Sequence, residues 1–169
     1  MGPISARTVV DAPRERVYEF VADLANRPSF LDHMFSQFRL ERLDSAGVGA
    51  AARFRSRAPL NRIWLETVIE ESDAPHVLRE RGHGGRLDRI PTSTVWEVLE
   101  EVGSLSEVRV SFSTEASHPL DRLRELFGAG LWYRRRWAHA MRRLREALEA
   151  DRPPARLVAA GGDRVAGAG

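Results

Sequence analysis

The chain has 169 residues, 43% of them hydrophobic and 30% charged, with a formal net charge of +2: enough apolar material for one packed domain, and no charge excess to mark a nucleic-acid binder. It has no cysteine, which excludes disulfides, thiol nucleophiles and thiolate metal sites. No apolar run is long enough to span a membrane and no charged-then-apolar leader opens the chain, so a cytoplasmic protein is expected.

Ile4–Val10 reads as a strand. Asp11-Ala12-Pro13 signals a helix start, and Val17, Phe20, Val21 and Leu24 follow at i, i+3, i+4, i+7, the spacing of one helical face. The helix is expected to stop at Asn26-Arg27-Pro28, because proline disfavours helical geometry in the residue before it. A short second apolar stripe follows at Leu31, Met34 and Phe35. Period-two alternation then takes over. Gln37–Leu43 is a strand and Asp44–Gly47 a turn; Val48–Arg57 sets Ala50, Ala52 and Phe54 against Arg53, Arg55 and Arg57. Ala58–Asn61 is a hairpin loop, and Arg62–Glu71 turns Ile63, Leu65, Thr67 and Ile69 to the core. After Asp73-Ala74-Pro75, His76–Arg81 is a short strand and Gly82-His83-Gly84-Gly85 a turn. Thr92–Glu101 and Leu105–Glu115 form the last pair; Val108, Val110, Phe112 and Thr114 share one face, and Glu107, Arg109, Ser111 and Ser113 the other. One dry and one wet face marks an antiparallel sheet.

From Pro119 the period becomes 3.6, with the stripe Leu123, Phe127, Gly130, Arg134, Trp137, Met141, Leu144, Leu148. Unbroken, such a helix runs about 45 Å at 1.5 Å per residue. Past Asp151 the chain turns Pro-Pro and Ala/Gly-rich, so 1–151 is expected to be a single domain and 152–169 a disordered tail. The order strand, two helices, six strands, long helix gives an α+β fold. Its curved antiparallel sheet of about seven strands (β-α-α-β6-α) wraps around the long C-terminal helix, because that helix alone can cover the dry face. Its first half, with Gly128, Gly130 and Arg134, packs less closely and leaves an internal cavity.

Over Ile4–Ala150 the chain resembles the START-like, helix-grip superfamily often labelled SRPBCC, in the polyketide cyclase/dehydrase and lipid transport branch. The resemblance is carried by Val9-Val10-Asp11-Ala12-Pro13 leading into Val17-Tyr18-Glu19-Phe20-Val21-Ala22-Asp23, by Gly47-Val48-Gly49 before a strand, by Ile69-Glu70-Glu71-Ser72-Asp73-Ala74-Pro75, and by the C-terminal amphipathic helix. It implies a bacterial protein of that fold. The superfamily includes hydrophobic-ligand carriers, hormone-type receptors and aromatic cyclases, and no residue is catalytic across its members, so none is carried over.

Several residues invite chemistry. Gly47–Ala52 matches G-x-G-x-x-A, but a strand follows where the dinucleotide motif needs a helix, so it reads as a turn. Gly82–Gly85 could gate a cavity mouth, which would make His83 an acid or base. Glu66 becomes a base if strand register turns it inward; otherwise it salt-bridges across the wet face. Arg134 lies on the apolar stripe, where a buried arginine needs an anionic partner; it either snorkels outward or meets a ligand carboxylate or polarised carbonyl. Asp32-His33 is a solvent-exposed pair. The histidines at 33, 76, 83, 118 and 139 lack metal-binding spacing, so neither metal nor cofactor is expected. The pocket is expected to be lined by Phe54, Leu65, Trp96, Val110, Phe112, Phe127, Leu131 and Arg134. The expected function is binding of a hydrophobic or aromatic small molecule between the sheet and the C-terminal helix. The alternative is a polyketide cyclase or dehydratase using His83, Glu66 or Arg134 in that cavity. A third reading is a protein partner, a homodimer included, with Trp64 or Trp132 marking the interface.

Overall fold

The computed structural model describes residues 2–59, 62–85, 89–100, 103, 105–115 and 130–150. Within them lie β1 (Ile4–Asp11), α1 (Arg14–Ala22), a 3₁₀ turn (Leu24–Asn26), α2 (Arg27–Leu31), β2 (Phe35–Leu40), β3 (Ala51–Ser56), β4 (Trp64–Asp73), β5 (Val77–Gly84), β6 (Ile90–Glu100), β7 (Leu105–Thr114) and α3 (Gly130–Glu149). The strands form one seven-stranded sheet in the order β1-β7-β6-β5-β4-β3-β2. Every pairing is antiparallel. The expected α+β architecture is therefore observed: β1 crosses to the far edge beside β7, and β2 to β7 run as a meander.

Alternation places the core. In β7, Val108, Val110, Phe112 and Thr114 are buried while the residues between them are partly exposed. Leu65, Thr67 and Ile69 do the same in β4. Against this face α3 lays Trp137, Met141, Leu144 and Leu148, all buried. Its ring contacts bridge the sheet, with Trp137 5.8 Å from Trp96 of β6 and 5.6 Å from Phe112 of β7 between ring centres. At its first half Tyr133 shares a 3.0 Å hydroxyl hydrogen bond with Ser56 at the end of β3. The described part of α3 is 20 residues, about 30 Å. The expected helical start at Pro119, the stripe residues Leu123 and Phe127 and the expected tail lie outside the described residues.

Three local expectations are corrected. First, Pro28 does not end a helix. The helix ends at Ala22; Asp23 is extended and its side chain accepts from the Ala25 N–H at 2.9 Å, and α2 begins at Arg27 with Pro28 in its first turn. Proline fits there because the first-turn N–H groups have no partner within the helix. Second, 82–84 is not a turn: β5 runs through Gly84, paired with β4 and β6. Third, β2 starts at Phe35 and is broken by a register shift between Ser36 and Arg39, with Gln37 in the left-handed region at φ 56°. A bulge resets alternation, and so Phe35 and Phe38, three apart, both face inward.

Asp32 and His33 are a latch rather than a bare exposed pair. Asp32 is bonded by Arg143 of α3. His33 Nε2–H donates to the Arg136 carbonyl at 3.0 Å, and Arg143 lies 3.3 Å from its Nδ1. The His33 ring packs edge-on to His139 at 4.5 Å. Burial holds the His33 pKa below its ordinary value; the charges of His139, Arg143 and Arg136 act the same way, against the pull of the Arg136 carbonyl. The Arg143 hydrogen bond holds Asp32 below the usual carboxylate value. The unfolded chain therefore takes up the His33 proton first as pH falls. This contribution is fully present above about pH 6.5, the unfolded value, and is lost as pH falls toward the lower folded value. The Asp32 contribution is lost only below about 3.8. Thermal unfolding from pH 8 to 5 is expected to show stability falling below 6.5, with His33 adding a slope of at most about 1.4 kcal/mol per pH unit. His33→Gln should flatten that slope; an unchanged slope would remove His33 as its source.

Candidate functional site

An interior cavity lies where α2 and α3 meet the sheet. Leu24 of the 3₁₀ turn, Leu31 of α2, and Phe35 and Phe38 of β2 wall one side; Ala52 and Phe54 of β3, Phe112 of β7 and Trp137 of α3 wall the other. Its polar rim is Arg27, Thr67, Glu80 and Thr94, so every strand from β2 to β7 contributes. The empty space, counted out to where it meets solvent, is about 390 Å³, but it is narrow: the centre of a water molecule has about 30 Å³ of it. A ligand larger than a few waters must part the walls.

A buried ion pair forms its chemical centre. Arg27 and Glu80 are each 4% exposed. The Arg27 guanidinium donates to Glu80 Oε1 and lies over the Trp96 ring, 4.6 Å from its centre. Trp96 Nε1–H donates to the same oxygen at 2.9 Å, and Thr67 Oγ1–H donates to Oε2 at 3.1 Å. The carboxylate thus takes three donors, which offsets the desolvation of a charge in an apolar interior. On the cavity-lining residues, two buried donors have no partner among the described residues: Arg27 Nε and Trp137 Nε1.

Of the residues expected to line the pocket, Phe54 and Phe112 do so. Trp96 sits behind the wall as a prop for the ion pair, and Leu65 and Val110 are buried in the core without lining it. Phe127 lies outside the described residues. Leu131 is 57% exposed, and Arg134 is exposed on the same helix: the inward residues of the first half of α3 include Tyr133, Trp137, Ala140 and Met141, and Arg134 is one position past Tyr133, about 100° around the helix. Glu66 and His83 face each other across β4 and β5, but on the outer face, since Leu65, Thr67 and Gly84 beside them take the inner one. None of the three acid/base candidates lines the cavity. Trp64 is half-buried under Arg53, and Trp132 packs on Tyr133 and beneath Arg136. Among the described residues no cluster of His, Asp or Glu could hold a metal, and no helix is long and apolar enough to cross a membrane.

Arg27 and Glu80 escape a reading of the sequence, although each carries a signal. Glu80 shares the two-residue period of Leu78 and Gly82, opposite Arg79 and Arg81. Arg27 falls three after Leu24 and four before Leu31, on the buried side. The two signals are separated by 53 residues, and nothing local pairs them.

No protein-family model matches the sequence, and no curated protein does. Solved structures do. TTHA0849 from Thermus thermophilus is 18% identical with a TM-score of 0.64, covering 89% of this chain and 99% of that one. A START superfamily protein from Mycobacterium smegmatis is 12% identical with a TM-score of 0.60, covering 90% and 100%. DynU16, described as a protein in the dynemicin biosynthetic locus, is 14% identical with a TM-score of 0.61, covering 90% of this chain and 49% of that one. Identities this low speak for the fold alone, and with the single antiparallel sheet closed over α3 they show that the chain has the START-like helix-grip fold.

Proposed function

We propose that the protein binds a hydrophobic or aromatic small molecule in the cavity between the sheet and α3. The observation that carries this reading is a hollow walled mainly by phenylalanine, leucine and tryptophan with the Arg27–Glu80 pair at its rim, the mix of apolar wall and few polar groups that suits a ligand site. The START-like fold of its structural neighbours supports it. A cyclase or dehydratase would need a free acid or base inside. Glu80 is the one carboxylate at the wall among the described residues, and three donors already occupy it, so binding is the better supported reading.

Native mass spectrometry of freshly purified protein is expected to show a co-purified small molecule. Naphthalene at 100 times its Kd should stabilise the protein by about 2.7 kcal/mol, and Ala52→Leu, which fills the hollow, should abolish that gain. No bound species together with an unmoved unfolding midpoint would refute the reading.

A further inference from the structure

We infer that the ligand is electrically neutral and carries a hydrogen-bond-accepting oxygen, such as a ketone, quinone or lactone carbonyl, placed to accept from Arg27 Nε–H and Trp137 Nε1–H. This rests on the binding reading above and narrows its chemistry. Arg27 is 4% exposed and Trp137 2%. Both residues line the cavity, each nitrogen is sealed from solvent, and among the described residues no atom accepts from either. A buried donor left unmatched is costly, and a bound acceptor would relieve that cost. The cavity's own strong acceptor is spoken for: Glu80 Oε1 takes Arg27 and Trp96, and Oε2 takes Thr67. The unmatched polar groups of the two residues are therefore donors, which favour a ligand that accepts.

Charge decides between a neutral and an acidic acceptor. Arg27 and Glu80 cancel, and no other ionisable side chain lines the cavity among the described residues. A carboxylate ligand would bring an uncompensated negative charge beside Glu80 into an apolar hollow, which is strongly unfavourable. A pure hydrocarbon fits the walls but leaves both donors unmatched. A ketone avoids both costs.

Three probes of one shape separate these cases: 1-indanone, indane and indane-1-carboxylate, titrated into the full chain and followed by ¹H–¹⁵N NMR. The ketone is expected to bind about 10-fold or more tightly than indane, the gain of one to two matched hydrogen bonds. The carboxylate should be the weakest. Ketone binding should shift an indole N–H resonance downfield, and that resonance should be absent in Trp137→Phe. In that variant, which keeps an aromatic ring and loses the donor, the preference for ketone over hydrocarbon should shrink. Indane binding as tightly as indanone, the carboxylate binding tightest, or an unchanged preference in Trp137→Phe would each overturn the inference while leaving the cavity a binding site. Failure of all three probes to bind would overturn the binding reading itself.

Discussion

Glu80→Ala is expected to destabilise the protein by about 3–5 kcal/mol, the cost of removing one member of a buried ion pair. For a domain of this size each kcal/mol moves the midpoint by about 2–4 °C, so the fall should be about 6–20 °C. The loss is large because Glu80 serves three donors at once. Without it the Arg27 charge stays buried under Trp96, and the Trp96 N–H and Thr67 hydroxyl lose their acceptor. The pair need not contribute net stability: removing both charges can be neutral or favourable. The double variant Arg27→Met/Glu80→Leu should therefore be more stable than Glu80→Ala, retaining the fold while losing the polar rim. Urea denaturation of the two singles and the double measures the coupling. A Glu80→Ala cost below about 1 kcal/mol would mean that the carboxylate is not buried and paired in solution.

Gly82→Ala is expected to be damaging too, for a backbone reason. A Cβ on Gly82 would lie 1.8 Å from the Glu66 carbonyl oxygen of β4 and 2.8 Å from Thr92 Oγ1 of β6. The neighbouring main chain cannot rotate away, so β5 must shift against β4, and forced repacking of this kind costs about 1–3 kcal/mol or more. The shift would fall beside Thr67, which is paired with Gly82 and donates to Glu80, so the variant should lose ligand binding as well as stability. Hydrogen exchange is expected to speed up along β4 and β5 first. Full retention of stability in Gly82→Ala would show that the two strands are more widely spaced than this.

Gly82 also marks where local reading fails. A glycine-rich stretch is a turn by composition, but here Gly82 and Gly84 let β5 lie against β4 where a side chain would collide; only the neighbouring strand's position distinguishes the two. Pro28 is a similar case. It is unfavourable inside a helix and acceptable in a first turn, and Asp23, by capping a separate 3₁₀ turn, decides which of these applies. Arg134 shows the limit of periodicity. Steps of three and four put it near the stripe, yet the angle that separates it from Tyr133 is enough to turn it to solvent.

What the chain determined by itself was the architecture. Hydrophobic period is a local property, and the change from two to 3.6 after β7 is unambiguous, so strand number, element order and the wet and dry faces of β4 and β7 could be read directly. The site could not. The tertiary structure alone put Arg27, from the second helix, onto Glu80, from the fifth strand, and turned Phe35 and Phe38 to the same side through the bulge at Gln37. Those contacts depend on sheet curvature and register, which are set by how all seven strands pair with one another and are written in no single stretch of residues.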